Sequence, residues 1–400
     1  MVNTVKVIGR DFNEILSSVL LYVIGSIVAG LALSTNVDLL KIFPAIIIVI
    51  PAINDVKGNI YAPLGSRLNT LLHLGLIKPS LERSKYLNEN LFSMAIIVLS
   101  VHLYIGFLGS LTAYTIGLGF PLIKLLSVIL ISAFITFLFL TPFTILISII
   151  TFKRGLDPDN FTTPLITLVS DVSNLPILLL VLRALERVNS HHLIIVNVIA
   201  LCILGLLIVK LSRDRKKHSI SLKIIKENLT PCLICALIEM LPGVGLGIAL
   251  DKFIKYSSIL FIIPSFIGSL GALTGILSAR LSTMLHIGEI EPKFTFKGKA
   301  RRLIIIAYLV GFIMFLVLFI IDLFVSIIVG LDMPGIIVLF MLINFTGYFT
   351  LTLSMVISYY LSIITFMRGI DPDNVVIPIL TTAVDFLGVI VLSFVMSFIV

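Results

Sequence analysis

The sequence predicts an all-α polytopic membrane protein with about eleven transmembrane helices, arranged as two parallel five-helix repeats joined by an extra linking helix. Three observations support this prediction. The 400-residue chain is 58% hydrophobic and only 12% charged, which is more apolar surface than a soluble domain needs. Apolar windows of about 20 residues follow one another along the chain, and two long phrases occur twice. A β-barrel would instead show short alternating segments.

Eleven segments have the length and composition of membrane spans. They are predicted at residues 13–34, 38–56, 92–116, 121–151, 161–184, 192–211, 228–250, 257–275, 302–329, 334–366 and 375–399. The first five correspond to the last five, whereas the sixth segment has no counterpart. The predicted organisation is therefore a first five-helix repeat at 1–190, a linking helix with a cytoplasmic loop at 191–225, and a second repeat at 226–400.

Two repeated phrases reveal the duplication. Residues 151–171 read TFKRGLDPDNFTTPLITLVSD, and residues 365–385 read TFMRGIDPDNVVIPILTTAVD. Residues 51–75 and 264–288 share the frame P-x6-G-x5-L-x2-RL-x-T-x-LH-x-G. The copies are offset by 214 residues for the first phrase and by 213 for the second. A near-constant offset over two separated motifs indicates an internal repeat.

The positions of lysine and arginine predict the orientation in the membrane. The basic residues that cluster near Lys6, Lys153, Arg213 and Arg368 fall on one side, which is therefore expected to be cytoplasmic. The amino terminus would then lie inside the cell and the carboxyl terminus outside. The linking helix keeps both repeats in the same orientation. We expect a multi-pass protein of the cell membrane, surrounded by lipid, whose net charge of +8 does not indicate nucleic-acid binding.

Each DPDN phrase ends in an aspartate within an apolar segment, Asp171 in the first copy and Asp385 in the second. An ionisable residue inside a membrane is costly and indicates a functional site. Pro158 and Pro372 suit the first turn of a helix. From Asn160 to Asp171 the helix would rise roughly 16 Å, and half of a bilayer core is about 15 Å thick. Both aspartates are therefore expected near the midplane.

No lysine or arginine is expected at that depth. Such a carboxylate must then be protonated, hydrated in a pore or neutralised by a mobile ion, and we favour the last two together. Two carboxylates on a shared axis would repel each other, and a divalent cation removes the repulsion. Oxygen ligands suit Mg²⁺, Mn²⁺ or Ca²⁺, so the sequence predicts one of these as the transported ion and no cofactor.

Further oxygen-bearing side chains are expected along the same path. Pore-lining positions are predicted at Asn160, Thr163, Thr167, Asn174, Asn374 and Thr381. A cytoplasmic mouth is predicted from Asn54, Asp55, Asn59, Asp157, Asp159, Asp371 and Asp373. Glu239 is a second-tier candidate for the ion pathway. The DPDN aspartates would serve equally well as helix caps. Pro51 and Pro264 are expected to interrupt the second span of each repeat and to expose backbone carbonyls.

At these motifs the chain resembles the MgtE-like divalent cation transporters, especially the duplicated solute carrier family 41. The resemblance rests on P-x6-GN with SRLNT, on SARLST, and on two DPDN-x3-P-x2-T-x3-D stretches, and it covers essentially the whole chain. It implies a pore between two five-helix units, in which the aspartate of each fifth helix, Asp171 or Asp385, binds the ion. Because one chain supplies both halves, a monomer could suffice.

Two alternatives stay open at this point. A secondary exchanger that couples Mg²⁺ to Na⁺ or protons would use the same site, because paired carboxylates also allow proton coupling. An intramembrane hydrolase is disfavoured, because the sequence contains neither HExxH nor a GxGD-type setting for an aspartate. We therefore expect a transporter of divalent cations and no enzyme.

Overall fold

The described part of the chain is helical and contains no β-strand in this computed structural model. The structure describes residues 2–80, 82, 84–154, 158–293, 298–369 and 372–399. Within the helices, the backbone alone is described for residues 2–11, 14, 158–164, 372–375, 377–378 and 399. The all-α prediction is confirmed.

Fourteen helical segments make up this part of the chain. They are α1 Val2–Ser34, α2 Val37–Ile42, α3 Ala45–His73, α4 Lys85–Thr115, α5 Leu122–Lys153, α6 Pro158–Ala184, α7 Ser190–Arg213, α8 Ser219–Ile238, α9 Met240–Ile248, α10 Leu250–Lys255, α11 Ser257–His286, α12 Lys299–Val329, α13 Ile336–Met367 and α14 Pro372–Ile399. If α8 and α9 are counted as one span and the short α2 and α10 are set aside, eleven are long and apolar enough to cross a membrane. This agrees with the predicted number.

The second span differs from its prediction at both ends. Instead of one segment at 38–56, α2 ends at Ile42 and α3 runs unbroken from Ala45 to His73. Pro51 lies inside α3, and Pro264 lies inside the equally continuous α11. The prediction that these prolines interrupt the spans is wrong. Each proline removes one main-chain hydrogen bond, but packing against neighbouring helices keeps the helix continuous.

The helices that follow the DPDN phrases begin where the sequence predicts. Pro158 is the first residue of α6, and Pro372 is the first residue of α14. Proline is favoured at this position because the first N–H groups of a helix have no partner within the helix. Asp157 and Asp371 lie outside the described residues, so their capping of these helices stays a prediction.

The helices group into two compact units. The α3 unit comprises Asp38–Gly247, and the α11 unit comprises Met1–Val37 together with Ile248–Val400. In the α3 unit, α3 packs on α4, α5, α6 and α8. In the α11 unit, α11 packs on α1, α12, α13 and α14. Each unit thus contains the last four helices of one sequence repeat and the first helix of the other. The repeat boundaries themselves remain a prediction.

In each unit, a glycine lies where the exchanged first helix contacts its new neighbour. Gly30 of α1 lies against the main-chain carbonyl of Phe261 in α11, and Gly243 of α9 lies against the carbonyl of Ile48 in α3. A Cβ atom on either glycine would overlap the carbonyl oxygen. The offset of 213 residues relates both members of the two pairs, so the exchanged contact is the same in each unit. Small residues permit such close approach between membrane helices.

A stripe of buried hydroxyl side chains follows the fourth helix of each repeat. In α13 it recurs at every fourth position, at Thr346, Thr350, Ser354, Ser358 and Ser362. In α5 the buried residues at equivalent positions are Ser132, Thr136, Thr144 and Ser148. Residues four apart share one face of a helix, and small hydroxyl side chains allow neighbouring helices to approach closely. The stripe places Thr136 and Thr350 at equivalent points of the two units.

Candidate ion site

The two repeated aspartates lie at the centres of their helices. Asp171 is thirteen residues from each end of α6, and Asp385 is thirteen and fourteen residues from the ends of α14. Both side chains are half-buried. Both also lie inside segments that are long and apolar enough to span a membrane, residues 165–184 and 379–398. The two carboxylates therefore occupy equivalent positions in two apolar helices.

Two hydroxyl groups accompany these aspartates. Thr167 and Thr381 lie four residues earlier on α6 and α14, and both are half-buried. Residues four apart share a helix face, so each threonine is on the same side as its aspartate. For other predicted positions the helix backbone is described but the side chain is not: Asn160, Thr163, Asp159, Asp373 and Asn374. Their predicted roles remain predictions.

In the α3 unit, the face of α6 that carries Asp171 packs along α3. A Cβ atom on Gly58 would lie 3.7 Å from Thr167 Cγ2. Further along the same two helices, Asn174 Nδ2 donates a hydrogen bond to Asn54 Oδ1. Asp171 lies between Thr167 and Asn174 on this face of α6. It is therefore level with residues 54–58 of α3.

Lys57 is a buried amine at this level. Its side chain is 1% exposed, and its Nζ donates hydrogen bonds to Thr136 Oγ1 at 3.0 Å and to Asn174 Oδ1. The prediction that no lysine or arginine lies at the depth of the aspartates is therefore wrong for Asp171. Lys57 was missed because the second span was predicted to end at Val56, which placed this lysine in a loop. Its position one residue beyond a predicted span was the signal that could have revealed it.

The second repeat lacks this polar cluster. Its counterparts of Asn54, Lys57, Thr136 and Asn174 are Ile267, Leu270, Thr350 and Gly388. A Cβ atom on Gly388 would lie 3.6 Å from Ile267 Cγ1, which repeats the contact between α6 and α3 with apolar groups. The Thr350 hydroxyl is buried and has no hydrogen-bond partner among the described residues. The same backbone arrangement thus carries an amine in one unit and a leucine in the other.

The remaining mouth candidates lie beside α8 in the α3 unit. Asn59 Nδ2 donates a hydrogen bond to Asp55 Oδ2 at 2.7 Å, and both side chains are half-buried. Cys232 Sγ of α8 lies 3.9 Å from the main-chain oxygen of Asn59. Glu239, at the junction of α8 and α9, is fully buried. Asn54 bonds instead to Asn174, so it belongs to the cluster around Lys57. The cytoplasmic mouth predicted from Asn54, Asp55 and Asn59 stays a prediction, as does the pathway role of Glu239.

Two stretches of the chain match the family model described as the MgtE divalent cation transporter, residues 50–181 and 263–395. Together they cover more than half of the chain. The chain belongs to the MgtE family. The first match includes most of α3, all of α4 and α5, and most of α6, and the second includes the equivalent parts of α11 to α14. The MgtE match is therefore duplicated, as the repeated phrases predict.

Several relatives of this MgtE protein are similar over most of its length. Solute carrier family 41 member 3 of Rattus norvegicus is 24% identical over 404 residues, which cover 92% of this chain and 83% of the relative. Solute carrier family 41 member 2 of Gallus gallus is 25% identical over 414 residues, covering 95% and 69%. The Homo sapiens member 2 is 25% identical over 411 residues, with the same coverage. No solved structure matches the chain.

Family membership and the helices together define the protein at a coarse level. It is a multi-pass membrane protein of the MgtE family of divalent cation transporters. The four helices of each MgtE match form the larger part of one compact unit. The exchanged first helix of each unit, α1 or α8, lies outside the matched stretches.

Proposed function

We propose that this protein transports Mg²⁺ across the cell membrane and that Asp171 and Asp385 bind the ion on its way. The observation that carries the proposal is the central, half-buried position of both aspartates in equivalent apolar helices. An ionised carboxylate in such a helix needs a counter-charge, and membrane carboxylates of this kind mark ion pathways. Membership of a divalent cation transporter family supports a dication as the ion that these aspartates bind.

The chemistry of the site favours Mg²⁺ among the hard dications. Mg²⁺ gives up its water reluctantly and is usually held by one or two carboxylates while it keeps several waters. Asp171 and Asp385 can supply the carboxylates, and the hydroxyl groups of Thr167 and Thr381 can accept hydrogen bonds from the remaining waters. Mn²⁺ and Ca²⁺ use the same ligand atoms. We therefore expect them to compete with Mg²⁺ at this site.

Flux into liposomes tests the proposal. Purified protein should admit Mg²⁺ to vesicles that contain a Mg²⁺-sensitive dye, and Asp171→Asn or Asp385→Asn should abolish the signal. Asp38→Asn is a matched control, because Asp38 is exposed and its ion pair with Arg183 contributes little. Full flux in both membrane variants would overturn the site assignment. Equal flux in all vesicles, with or without protein, would overturn the transport proposal.

The same vesicles distinguish passive movement from exchange. Paired carboxylates are compatible with a passive path and with exchange against Na⁺ or protons. Flux that persists when Na⁺ and pH are equal on both sides supports a passive path. Flux that requires an opposing gradient of Na⁺ or protons assigns the protein to the exchangers.

We also infer that one chain is the transporting unit and that its amino terminus faces the cytoplasm. One chain carries both aspartates, and its basic residues favour this orientation. Light scattering of the purified protein should give the mass of a monomer after correction for detergent. A tag at the amino terminus should be inaccessible to antibody in intact cells, and a tag at the carboxyl terminus should be accessible.

A further inference from the structure

The proposed ion site leaves the buried amine of Lys57 unexplained. A buried ammonium group is costly unless it is well hydrogen-bonded or paired with an opposite charge. Among the described residues, Lys57 donates to two neutral oxygens, those of Thr136 and Asn174. The fold does not require an amine here, because Leu270 occupies the equivalent position of the other repeat. An intramembrane lysine retained at this cost indicates a function.

The position of Asn174 connects this amine to the proposed ion ligand. Asn174 follows Asp171 by three residues on α6, and residues three apart are neighbours on a helix surface. Its amide oxygen accepts a hydrogen bond from Lys57 Nζ, while its amide nitrogen donates to Asn54. Both polar atoms of the Asn174 amide therefore bond to side chains of α3. The amine is therefore bonded to a residue that is one helical turn from Asp171.

A fixed positive charge near an ion ligand acts on the affinity for cations. The Coulomb energy scales with the product of the charges, so a dication is repelled about twice as strongly as a monovalent ion at the same distance. The repulsion is greatest where water is excluded, as around a buried amine. An ion that crosses a membrane must be bound well enough to enter and weakly enough to leave. A nearby ammonium group would favour departure.

We propose that Lys57 is a tethered counter-cation of the Asp171 site, which weakens the binding of the transported ion in the first repeat. This inference rests on the proposed function of Asp171. Without a bound ion, the ammonium charge balances the carboxylate of Asp171. When a dication binds, Lys57 repels it and promotes its release. Because the second repeat has Leu270 instead, Asp385 has no such cation beside it.

Replacement of Lys57 by the residue of the other repeat tests this role. Lys57→Leu should lower the apparent KM for Mg²⁺ uptake at least about ten-fold, because the repulsion is removed. The maximal rate should fall as well, because release becomes slower. Lys57→Arg keeps the charge and should retain a KM close to that of the natural protein. The thermal unfolding midpoint of each variant, measured in detergent, controls for folding.

A merely structural role predicts a different result. If Lys57 only joins α3 to α5 and α6, then Lys57→Leu should lower the unfolding midpoint or the amount of active protein and leave KM unchanged. A folded Lys57→Leu protein with unchanged KM overturns the inference. A KM that changes equally in Lys57→Leu and Lys57→Arg also overturns it, because charge would then not be the cause.

A reciprocal change in the second repeat tests the same proposal even if Lys57→Leu does not fold. The double variant Leu270→Lys with Gly388→Asn should build the cluster in the second repeat, where the Thr350 hydroxyl is the equivalent of Thr136. A Cβ at Gly388 would make only ordinary contacts, of 3.6 and 3.9 Å, with neighbouring side chains. The apparent KM should rise about ten-fold. A folded double variant with unchanged KM contradicts the proposal.

The aspartate variants separate a failure of this inference from a failure of the proposed function. If Asp171→Asn and Asp385→Asn transport normally, the ion site itself is wrong and the Lys57 inference fails with it. If both aspartates are essential but KM is insensitive to the charge at position 57, only the role of Lys57 is overturned. Loss of transport in the aspartate variants with a lowered KM in Lys57→Leu supports both.

Discussion

Gly243 of α9 packs directly against the main-chain carbonyl of Ile48 in α3, with no room for a Cβ atom between them. The contact lies three residues before Pro51 and fixes the position of α9 along the helix that carries Lys57. The equivalent contact in the α11 unit joins Gly30 to Phe261. A glycine at these two positions is therefore required by packing and not by backbone conformation.

Gly243→Val should destabilise the protein by about 1–3 kcal/mol or more, because main-chain atoms cannot move aside as a flexible side chain can. We expect its unfolding midpoint in detergent to drop by several degrees. Gly205→Val in α7 is the matched control, since a Cβ there would meet nothing within 4 Å. Equal stability of the two variants would show that the close contact does not exist.

Thr167→Val and Thr381→Val should each lower the maximal rate of Mg²⁺ uptake by a few-fold while leaving the fold intact. Valine keeps the shape of threonine and removes the hydroxyl that is proposed to bond the waters of the ion. Thr283→Val is a suitable control, because that exposed hydroxyl bonds only to the carbonyl of Ala279 in its own helix. If the maximal uptake rates of both variants equal that of this control, the two threonines do not take part in the proposed site.

The buried carboxylate of Glu89 in α4 bonds to residues at the start of α8. It lies 2.8 Å from His218 Nδ1 and accepts hydrogen bonds from the Ser221 main chain at 3.3 Å and the Ser221 hydroxyl at 2.5 Å. Glu89→Gln removes the charge from these bonds and should cost about 1–3 kcal/mol of stability. Unfolding monitored in detergent measures the loss, and the KM for Mg²⁺ should not change.

The control for Glu89 is Glu82→Gln. Glu82 forms an exposed ion pair with Lys78 at 3.1 Å, and exposed pairs of this kind contribute little to stability. If both variants unfold at the same temperature as the natural protein, the buried cluster contributes no more than a surface pair.

Arg67→Lys should weaken the packing of α8 while keeping the charge. Arg67 Nε donates to Asn90 Oδ1 at 3.1 Å and Nη1 donates to Asn228 Oδ1 at 3.2 Å, so one planar group joins α3, α4 and α8. Lysine has a single nitrogen and cannot reproduce this geometry. We expect a loss of about 1 kcal/mol in unfolding experiments. Arg183→Lys, on an exposed pair, should be neutral, and an equally neutral Arg67→Lys would contradict the assignment.

Features that depend on local chemistry could be predicted from the sequence. The lengths of the apolar segments predicted the number of spans, because a helix needs a minimum number of apolar residues to cross a bilayer. Pro158 and Pro372 gave the starts of α6 and α14, because proline lacks the N–H that later positions in a helix need. The repeated phrases gave the duplication that the two MgtE matches confirm.

Features that depend on distant partners could not be predicted in the same way. The predicted second span ended at Val56, so it included Asn54 but left Lys57 outside. Their polar groups bond to Thr136 and Asn174, which lie 79 to 120 residues away in sequence. The exchange of α1 and α8 was also hidden, because an apolar segment does not specify its neighbour. Only the equivalent Gly30 and Gly243 offered a sign of it.

The exchanged first helices impose an order on biosynthesis. All parts of the α3 unit, Asp38–Gly247, are contiguous, so this unit can finish packing once α9 has left the ribosome. Helix α1 is made before this unit, yet it belongs with Ile248–Val400. The 210 residues of the α3 unit are therefore translated before α11 and α12, on which α1 packs. Helix α1 thus reaches its final neighbours only after the whole α3 unit has been made.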